Sequence, residues 1–286
     1  VINQQNLGLG GARNTGLEVM TGEFVSFIDG DDFVDEDFIQ KLFLGCQSSG
    51  VNIAICGRSY VENEQIIPLF SRLTHTVWDV QETINKLLIW DGVDGSVCDK
   101  LFAVKLFKDV RFPVGTVSED IPVFVRLLLK TEKVVHIGAQ LYFYTVRVDS
   151  LSNNVFSREK MTILDSVKAV IDLIPTDMDI PQSKKDHFYF KHVLDLAFGI
   201  YKTSDRTSYE NELSQLMRII RNNSFKVVFN PYLPVSLRIK SILLLTNTYP
   251  LVQKLNKNFG RIFKTFGLLG KDHSPNLRRQ EKTNGM

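Results

Sequence analysis

The chain has 286 residues, of which 44% are hydrophobic and 23% charged, so it is long enough for one large domain or for one domain with an appendage. Its three cysteines, Cys46, Cys56 and Cys98, are odd in number and form no C-x-x-C pair. This pattern argues against a disulfide framework or a zinc site and favours free thiols in a reducing compartment. No apolar run approaches the length of a membrane-spanning helix.

Charge is divided unevenly along the chain, although the net charge is only +2. Residues 1–212 contain 21 Lys and Arg against 30 Asp and Glu, whereas residues 213–286 contain 13 against 2. No acidic residue occurs between Glu212 and Asp272. An acidic body with a basic tail predicts that the tail faces an anionic surface. We expect no nucleic-acid partner.

The first predicted elements are a helix over residues 10–20 and a strand over residues 24–28. The β-branched and aromatic residues of the strand predict that it is buried, and it ends in Asp29-Gly30-Asp31-Asp32. Asp29 and Asp31 project to the same side if the extended backbone persists. Such carboxylates suit Mg²⁺ or Mn²⁺ carrying a phosphate. The alternative is a polar turn before the next helix.

The middle of the chain predicts short strands that alternate with helices. In chain order these are a helix with an apolar face over 38–46, a strand over 51–56, irregular or hairpin structure over 57–80, a helix over 81–90 and a strand over 97–102.

The second half of the chain predicts two more strands and then helices. In chain order these are a helix over 121–130, strands over 133–137 and 141–146, helices over 159–173, 183–203 and 208–222, and basic helices to about residue 268. Ser118-Glu119-Asp120 precedes the first of these helices. The residues alone favour a capping arrangement at the helix N-terminus.

Motifs in three regions resemble the family 2 glycosyltransferases, a group of nucleotide-sugar-dependent enzymes with the GT-A fold. The first region has N-x-G-x-x-x-A-R-N-x-G over 6–16, T-G-E over 21–23, a hydrophobic strand and the D-x-D of Asp29 and Asp31. The other two have C-D-K-L-F over 98–102, R-F-P-V-G over 111–115 and the Glu119-Asp120 pair, then Y-F-Y over 142–144 with Arg147 and Ser150.

The resemblance implies roles for several of these residues. Asp120 would be the general base with Glu119 as its supporting neighbour, Asp31 a direct metal ligand, and Asp29 a contact to metal or ribose. Besides Asp29, four residues would contact the donor, with alternatives open for two of them. These are Arg13 and Asn14 at the donor pocket (or Arg13 paired with a nearby carboxylate), Lys100 at the diphosphate (or covering the sheet edge), and Arg147 at a phosphate.

The fold implied by the resemblance is an α/β fold of the GT-A (Rossmann-like) type. Residues 1–150 would form a partial glycosyltransferase domain whose mixed sheet lacks its first βαβ units, and residues 151–286 a C-terminal helical extension. The chain opens at Val1 inside an element, and family members place roughly 60 residues before this point, at ~30 per βαβ unit. We therefore expect an N-terminally truncated fragment.

The function implied by the resemblance is inverting transfer of a sugar from a nucleotide-diphosphate sugar, such as a UDP-sugar, to a glycan or lipid-linked acceptor in surface polysaccharide synthesis. A D-x-D-bound Mg²⁺ or Mn²⁺ would stabilise the leaving diphosphate. The expected location is cytoplasmic, on the inner face of the plasma membrane. Two alternatives remain: a non-catalytic binding module, and another metal-dependent phosphoryl enzyme.

The C-terminal region carries a prediction that owes nothing to the family. If residues 251–266 form a helix, its bulky apolar side chains fall on one side and its Lys and Arg on the other. Basic residues opposite apolar ones, without acids, are typical of a helix that lies in a membrane interface. The alternative is an ordinary helix packed on the body of the protein. We favour an anionic membrane surface because acids are absent from the whole basic tail.

Overall fold

The computed structural model describes residues 1–146, 156–203 and 205–252. Its strands are β1 (Phe24–Ser26), β2 (Phe33–Val34), β3 (Ile53–Glu62), β4 (Gln65–Pro68), β5 (His75–Asp79), β6 (Lys100–Ala103) and β7 (Lys133–Thr145). Its helices are α1 (Gly8–Val19), α2 (Phe38–Ser49), α3 (Val80–Leu87), α4 (Asp120–Leu128), α5 (Ile163–Leu173), α6 (Gln182–Lys202), α7 (Glu210–Asn222), α8 (Ser224–Val228) and α9 (Val235–Leu245).

The strands form one mixed sheet in the order β1-β6-β3-β7-β2. Strands β3 and β7 are parallel, while the other pairs are antiparallel, including β4 on β3 and β5 on β7. Helices α5 to α9 follow the last strand in sequence. A mixed α/β sheet with a helical C-terminal part is the architecture that the sequence predicts, and this expectation is confirmed.

Strand β1 departs from its prediction in length and burial. It covers only three residues, all of them half-buried, because among the described strands it pairs with β6 alone and lies at one end of the sheet. The prediction of a buried strand over residues 24–28 is therefore wrong. The chain is anchored one residue later, where Phe27 packs against the rings of Phe102, Phe107 and Phe112.

Strand β7 is continuous where the sequence predicts two strands. The predicted break falls at Gly138, whose φ of 74° is accessible to glycine at little cost. The backbone of Thr74 and His75 leaves no room for a side chain there. The partner strand β3 shifts register beside Gly57 and also continues, to Glu62, into a region predicted as irregular or hairpin. Between the pairs Ile55–His136 and Arg58–Tyr142, β3 advances three residues while β7 advances six, so β7 bulges around Gly138.

Two hydrophobic cores hold the described chain together. The first lies on the sheet and includes α2, α3, α4, much of α5 and the beginning of α6, and the second lies among α6, α7, α8 and α9. The helices predicted over 159–173, 183–203 and 208–222 match α5, α6 and α7 within a few residues. The domain boundary expected near residue 150 falls outside the described residues.

Candidate active site

Arg13 joins the two acidic motifs. It lies in α1, where Gly10 packs so closely on the 111–115 loop that a side chain at that position would collide with Pro113. The guanidinium of Arg13 donates from Nη1 to Glu119 Oε1 at 2.6 Å and from Nη2 to Asp29 Oδ1 at 3.1 Å. The Arg13 side chain is 9% exposed and that of Glu119 6%. Motifs 106 residues apart in sequence therefore form one site.

The Glu119-Asp120 pair stands where α4 begins. Glu119 makes no capping hydrogen bond with its side chain, and Ser118 has a φ of 59°, so the capping arrangement favoured by the residues alone is wrong. The carboxylate of Glu119 turns instead to Arg13. Burial, and then the neighbouring Glu119 carboxylate, raises the pKa of Asp120 to about 7. A carboxylate with a pKa near neutrality is suited to accept a proton from a hydroxyl group.

The Asp29–Asp32 segment is a turn and not the end of a strand. The strand ends at Ser26, and the backbone N–H of Asp32 donates to the carbonyl of Asp29 at 3.1 Å. The expectation that an extended backbone places Asp29 and Asp31 on one side is therefore wrong. Asp29 is half-buried and paired with Arg13, whereas Asp31 is exposed. Asp31 remains accessible to a ligand from solvent.

Asp32, to which the sequence assigns no role, anchors this turn to β7. Its carboxylate accepts a hydrogen bond from Tyr142 Oη at 2.6 Å and another from the Thr145 backbone N–H at 2.9 Å. Tyr142 Oη in turn accepts from the backbone N–H of Asp29 at 3.3 Å. Burial raises the pKa of Asp32, although both hydrogen bonds to its carboxylate oppose that shift. Tyr142 belongs to the Y-F-Y motif over 142–144. Asp32 lies 110 positions away in sequence, and no local pattern predicts that the two are in contact.

The residues around the turn fit a divalent cation only in part. Among the described residues, no group of three or more His, Cys, Asp or Glu side chains is arranged to hold a metal ion. Asp31 and Asp29 offer carboxylate oxygens, and Mg²⁺ is often bound by one or two carboxylates together with phosphate oxygens of the substrate. Asp29 and Asp31 therefore fit a metal site in which the phosphate oxygens of the bound donor would supply the other ligands. Metal dependence stays a prediction.

Asn14 has a structural partner. Its side-chain amide donates to the Phe112 carbonyl and accepts from the Phe112 N–H, both at 2.8 Å, and so fixes the 111–115 loop on α1. Arg13 also lies 5.5 Å from the Phe112 ring. The structure shows Arg13 paired with nearby carboxylates, which is one of the two alternatives that the sequence left open for it. Contact of either residue with a donor stays a prediction.

Lys100 is fully buried in β6 between β1 and β3, so the alternative that it covers the sheet edge is wrong. Its ammonium group donates to Asp99 Oδ1 at 2.5 Å and to the Ser96 carbonyl at 2.6 Å, and lies 4.6 Å from the Phe124 ring. This placement lends no support to a contact with a diphosphate. Arg147, the remaining predicted donor contact, lies outside the described residues.

The three cysteines are free, as their number predicts, and all three are buried. Cys98 lies beside the site, with its sulfur 3.8 Å from Nη2 of Arg13. Burial raises the pKa of this thiol to about 12, so it stays protonated at neutral pH. A protonated thiol is a poor nucleophile, which leaves the carboxylates as the reactive groups of the site.

Comparison with known proteins agrees with this geometry. Residues 1–110 match the model of the family described as "Glycosyl transferase family 2". These residues form a family 2 glycosyltransferase domain. Glycosyltransferase GlyA of Streptococcus pneumoniae is 30% identical over 242 residues, which cover 78% of this chain and 33% of that protein. Glycosyltransferase GlyG of the same organism is 28% identical over 166 residues, or 54% of this chain and 55% of that protein.

The fold has a solved counterpart in residues 1–349 of S. aureus TarS, crystallised in complex with UDP-GlcNAc. The TM-score is 0.55 at 16% identity, with 89% of this chain and 73% of the TarS chain covered. At this identity the likeness shows the GT-A fold alone. The chain spans about a third of GlyA and about half of GlyG. In the part of the chain that the structure describes, no helix is long and apolar enough to cross a bilayer.

Proposed function

We propose that this chain belongs to an inverting glycosyltransferase that moves a sugar from a nucleotide-diphosphate sugar to an acceptor hydroxyl. The observation that carries the proposal is the Arg13 bridge, which holds the Asp29–Asp32 turn and the Glu119-Asp120 pair at one site. The family assignment of residues 1–110 supports glycosyl transfer. TarS, which shares the fold, was crystallised with UDP-GlcNAc, and this favours a UDP-sugar as the donor.

Asp120 is the base in this proposal. With its pKa raised to about 7, its carboxylate can take the proton of the acceptor hydroxyl without being fully protonated at neutral pH. The acceptor oxygen then forms a bond to the anomeric carbon as the bond to the diphosphate oxygen breaks, and the diphosphate leaves with the electron pair. A single displacement of this kind inverts the anomeric carbon, as in glycosidases whose carboxylate activates water from the opposite face.

Arg13 and Glu119 position the base. Because the Arg13 guanidinium pairs with both Glu119 and Asp29, it reduces the repulsion between these two carboxylates and holds them at one site. In this proposal Asp31 and Asp29 hold Mg²⁺ or Mn²⁺. When bound, the ion would act as a Lewis acid that stabilises charge on the leaving diphosphate. The Asp32–Tyr142 contact keeps the turn that presents Asp31 in place.

The acceptor in this proposal is a glycan or lipid-linked glycan in surface polysaccharide synthesis, made at the cytoplasmic side of the membrane. Chondroitin synthase of Escherichia coli, which is 28% identical over 132 residues, supports a polysaccharide acceptor. The membrane contact expected of residues 251–266 falls, from residue 253 onward, outside the described residues and stays a prediction.

The test is product analysis with the longest natural polypeptide that includes this chain. Incubation with a panel of UDP-sugars and Mg²⁺ or Mn²⁺ should release UDP, and NMR of the sugar product should show inverted configuration. Release of inorganic phosphate in place of UDP would favour the alternative phosphoryl enzyme. Binding of a UDP-sugar without turnover would favour a non-catalytic module. Retention of configuration would contradict the assignment of Asp120 as a base in a single displacement.

A further inference from the structure

The helices α8 and α9 contact each other, and both expose apolar side chains, which together we call the α8–α9 face. It consists of the side chains of Phe225, Phe229, Val235, Ile239 and Ile242. The two phenyl rings are the most exposed aromatic rings among the described residues, at 73% and 64%, and their centroids lie 4.8 Å apart. The three aliphatic residues recur at i, i+4 and i+7 of α9 and so share one side of that helix.

The other side of α9 already packs inward. Leu237, Ser241 and Leu244 are buried, and Lys240 is also buried with its ammonium group 5.7 Å from the Phe198 ring. Helix α9 therefore has a second apolar side, in addition to the side that packs against the body of the protein. On α5, α6 and α7 the structure describes no large apolar side chain with comparable exposure. Exposed apolar residues that cluster in this way mark an interaction site.

The charged side chains of the segment that carries the face have one sign, although Lys226 also pairs with Asp186 of α6. Residues 213–252 contain five Lys and Arg and no Asp or Glu. Arg218 and Arg221 are exposed on α7, and Lys226, whose side chain is 52% exposed, stands between the two phenylalanines in sequence. Its Nζ lies 3.6 Å from Oδ1 of Asp186, whose side chain is only 15% exposed. Apolar side chains flanked by cations complement a surface that is apolar inside and anionic outside.

The basic charge of this segment disfavours two other partners for the α8–α9 face, namely a second copy of the chain and residues 253–286. A second copy would meet it through a symmetric contact, which would bring the basic residues of one chain against the same residues of the other. Residues 253–286 contain eight Lys and Arg against two acids, so their charge does not complement the face either. An anionic lipid bilayer offers both an acyl region for the phenyl rings and phosphate groups for the cations.

We propose that the α8–α9 face binds peripherally to anionic lipid bilayers, with Phe225 and Phe229 inserted at the boundary between headgroups and acyl chains. This inference differs from the prediction for residues 251–266, because it rests on side chains that the structure describes. It also stands independently of the proposed glycosyl transfer, since no residue of the candidate active site takes part.

The experiment is co-sedimentation of the full 286-residue chain with vesicles of phosphatidylcholine alone or mixed with phosphatidylglycerol. We expect binding only to the anionic mixture. Because burial of a phenylalanine contributes about 1.5–3 kcal/mol, Phe225→Ser and Phe229→Ser should each weaken the partition coefficient at least about tenfold. Lys226→Gln should weaken it about fivefold on anionic vesicles, in line with ~1 kcal/mol per basic residue. High salt should weaken binding further.

A matched control is Ile66→Ser on β4, since Ile66 is 58% exposed and lies outside the α8–α9 face. This variant should bind like the wild type. Unchanged binding by the Phe225→Ser/Phe229→Ser double variant would overturn the proposal, as would equal binding to neutral vesicles. Concentration-dependent dimerisation that the double variant abolishes, without lipid binding, would assign the face to a second copy. Each variant should have the circular dichroism spectrum of the wild type, which separates a loss of binding from a loss of fold.

Discussion

Replacement of Arg13 by methionine tests the bridge that holds the site together. The variant Arg13→Met keeps much of the side-chain volume but leaves the carboxylate of Glu119 buried without its cation. Removal of one partner from a buried ion pair costs about 3–5 kcal/mol. Asp29 is more exposed, so its lost contact adds little. At about 2–4 °C per kcal/mol for a chain of this size, Tm should fall by roughly 6–20 °C.

The assay is urea and thermal unfolding of the wild type, Arg13→Met and the double variant Arg13→Met/Glu119→Gln. Because the double variant removes the uncompensated charge, it should recover most of the lost stability. Arg158→Met is the control: Arg158 pairs with Glu212 at 2.7 Å but is mostly exposed, so its loss should change Tm far less. If Arg13→Met lost less than about 1 kcal/mol, or if the double variant were no more stable, the bridge would not organise this site.

Three further outcomes are expected. Asp31→Asn should abolish Mg²⁺- or Mn²⁺-dependent turnover without changing Tm, because Asp31 is exposed; unchanged turnover would remove it as a ligand. Tyr142→Phe should lower the free energy of unfolding by about 1–3 kcal/mol and raise the metal concentration for half-maximal activity, because Asp32 loses one of its two donors. In the folded protein Asp120 has a pKa of about 7 against an ordinary 3.8, so the folded state binds its proton more tightly and stability falls as pH rises between these values. Urea unfolding should therefore find Asp120→Asn more stable than the wild type by about 2–4 kcal/mol at pH 8, with little difference at pH 3.

The sequence predicts elements better than it predicts their partners. Helices such as α2 and α4 were predictable because apolar spacing and acidic residues before or in the first turn are local features. The fold class followed from motifs whose order and spacing are specific. The sequence predicts two strands in place of β7 because Gly138 favours a break, whereas in the structure the extra residues of β7 form a bulge and the strand stays paired with β3 on both sides of it.

The sequence identified most of the site residues but did not predict which of them contact each other. The four acidic residues Asp29, Asp31, Glu119 and Asp120 were identified from motifs, as was Arg13. Which carboxylate contacts which group depends on long-range packing. Asp32 finds Tyr142, a residue 110 positions away, and thereby leaves Asp31 as the exposed acid of the turn. The alternative that Lys100 covers the sheet edge was wrong because lysine is rarely buried, and here its burial depends on the adjacent Asp99 and the Phe124 ring.

The central claim is that Asp120 is the base of a glycosyl-transfer site. The most direct test is the pH dependence of UDP release from a UDP-sugar by the wild type and by Asp120→Asn, with donor affinity measured in parallel by calorimetry. The account predicts that the wild-type rate rises with pH through a pKa of about 7. It also predicts that Asp120→Asn binds the donor normally but loses about 10²–10⁴-fold in rate. A loss of less than tenfold, or a wild-type rate without this ionisation, would contradict it.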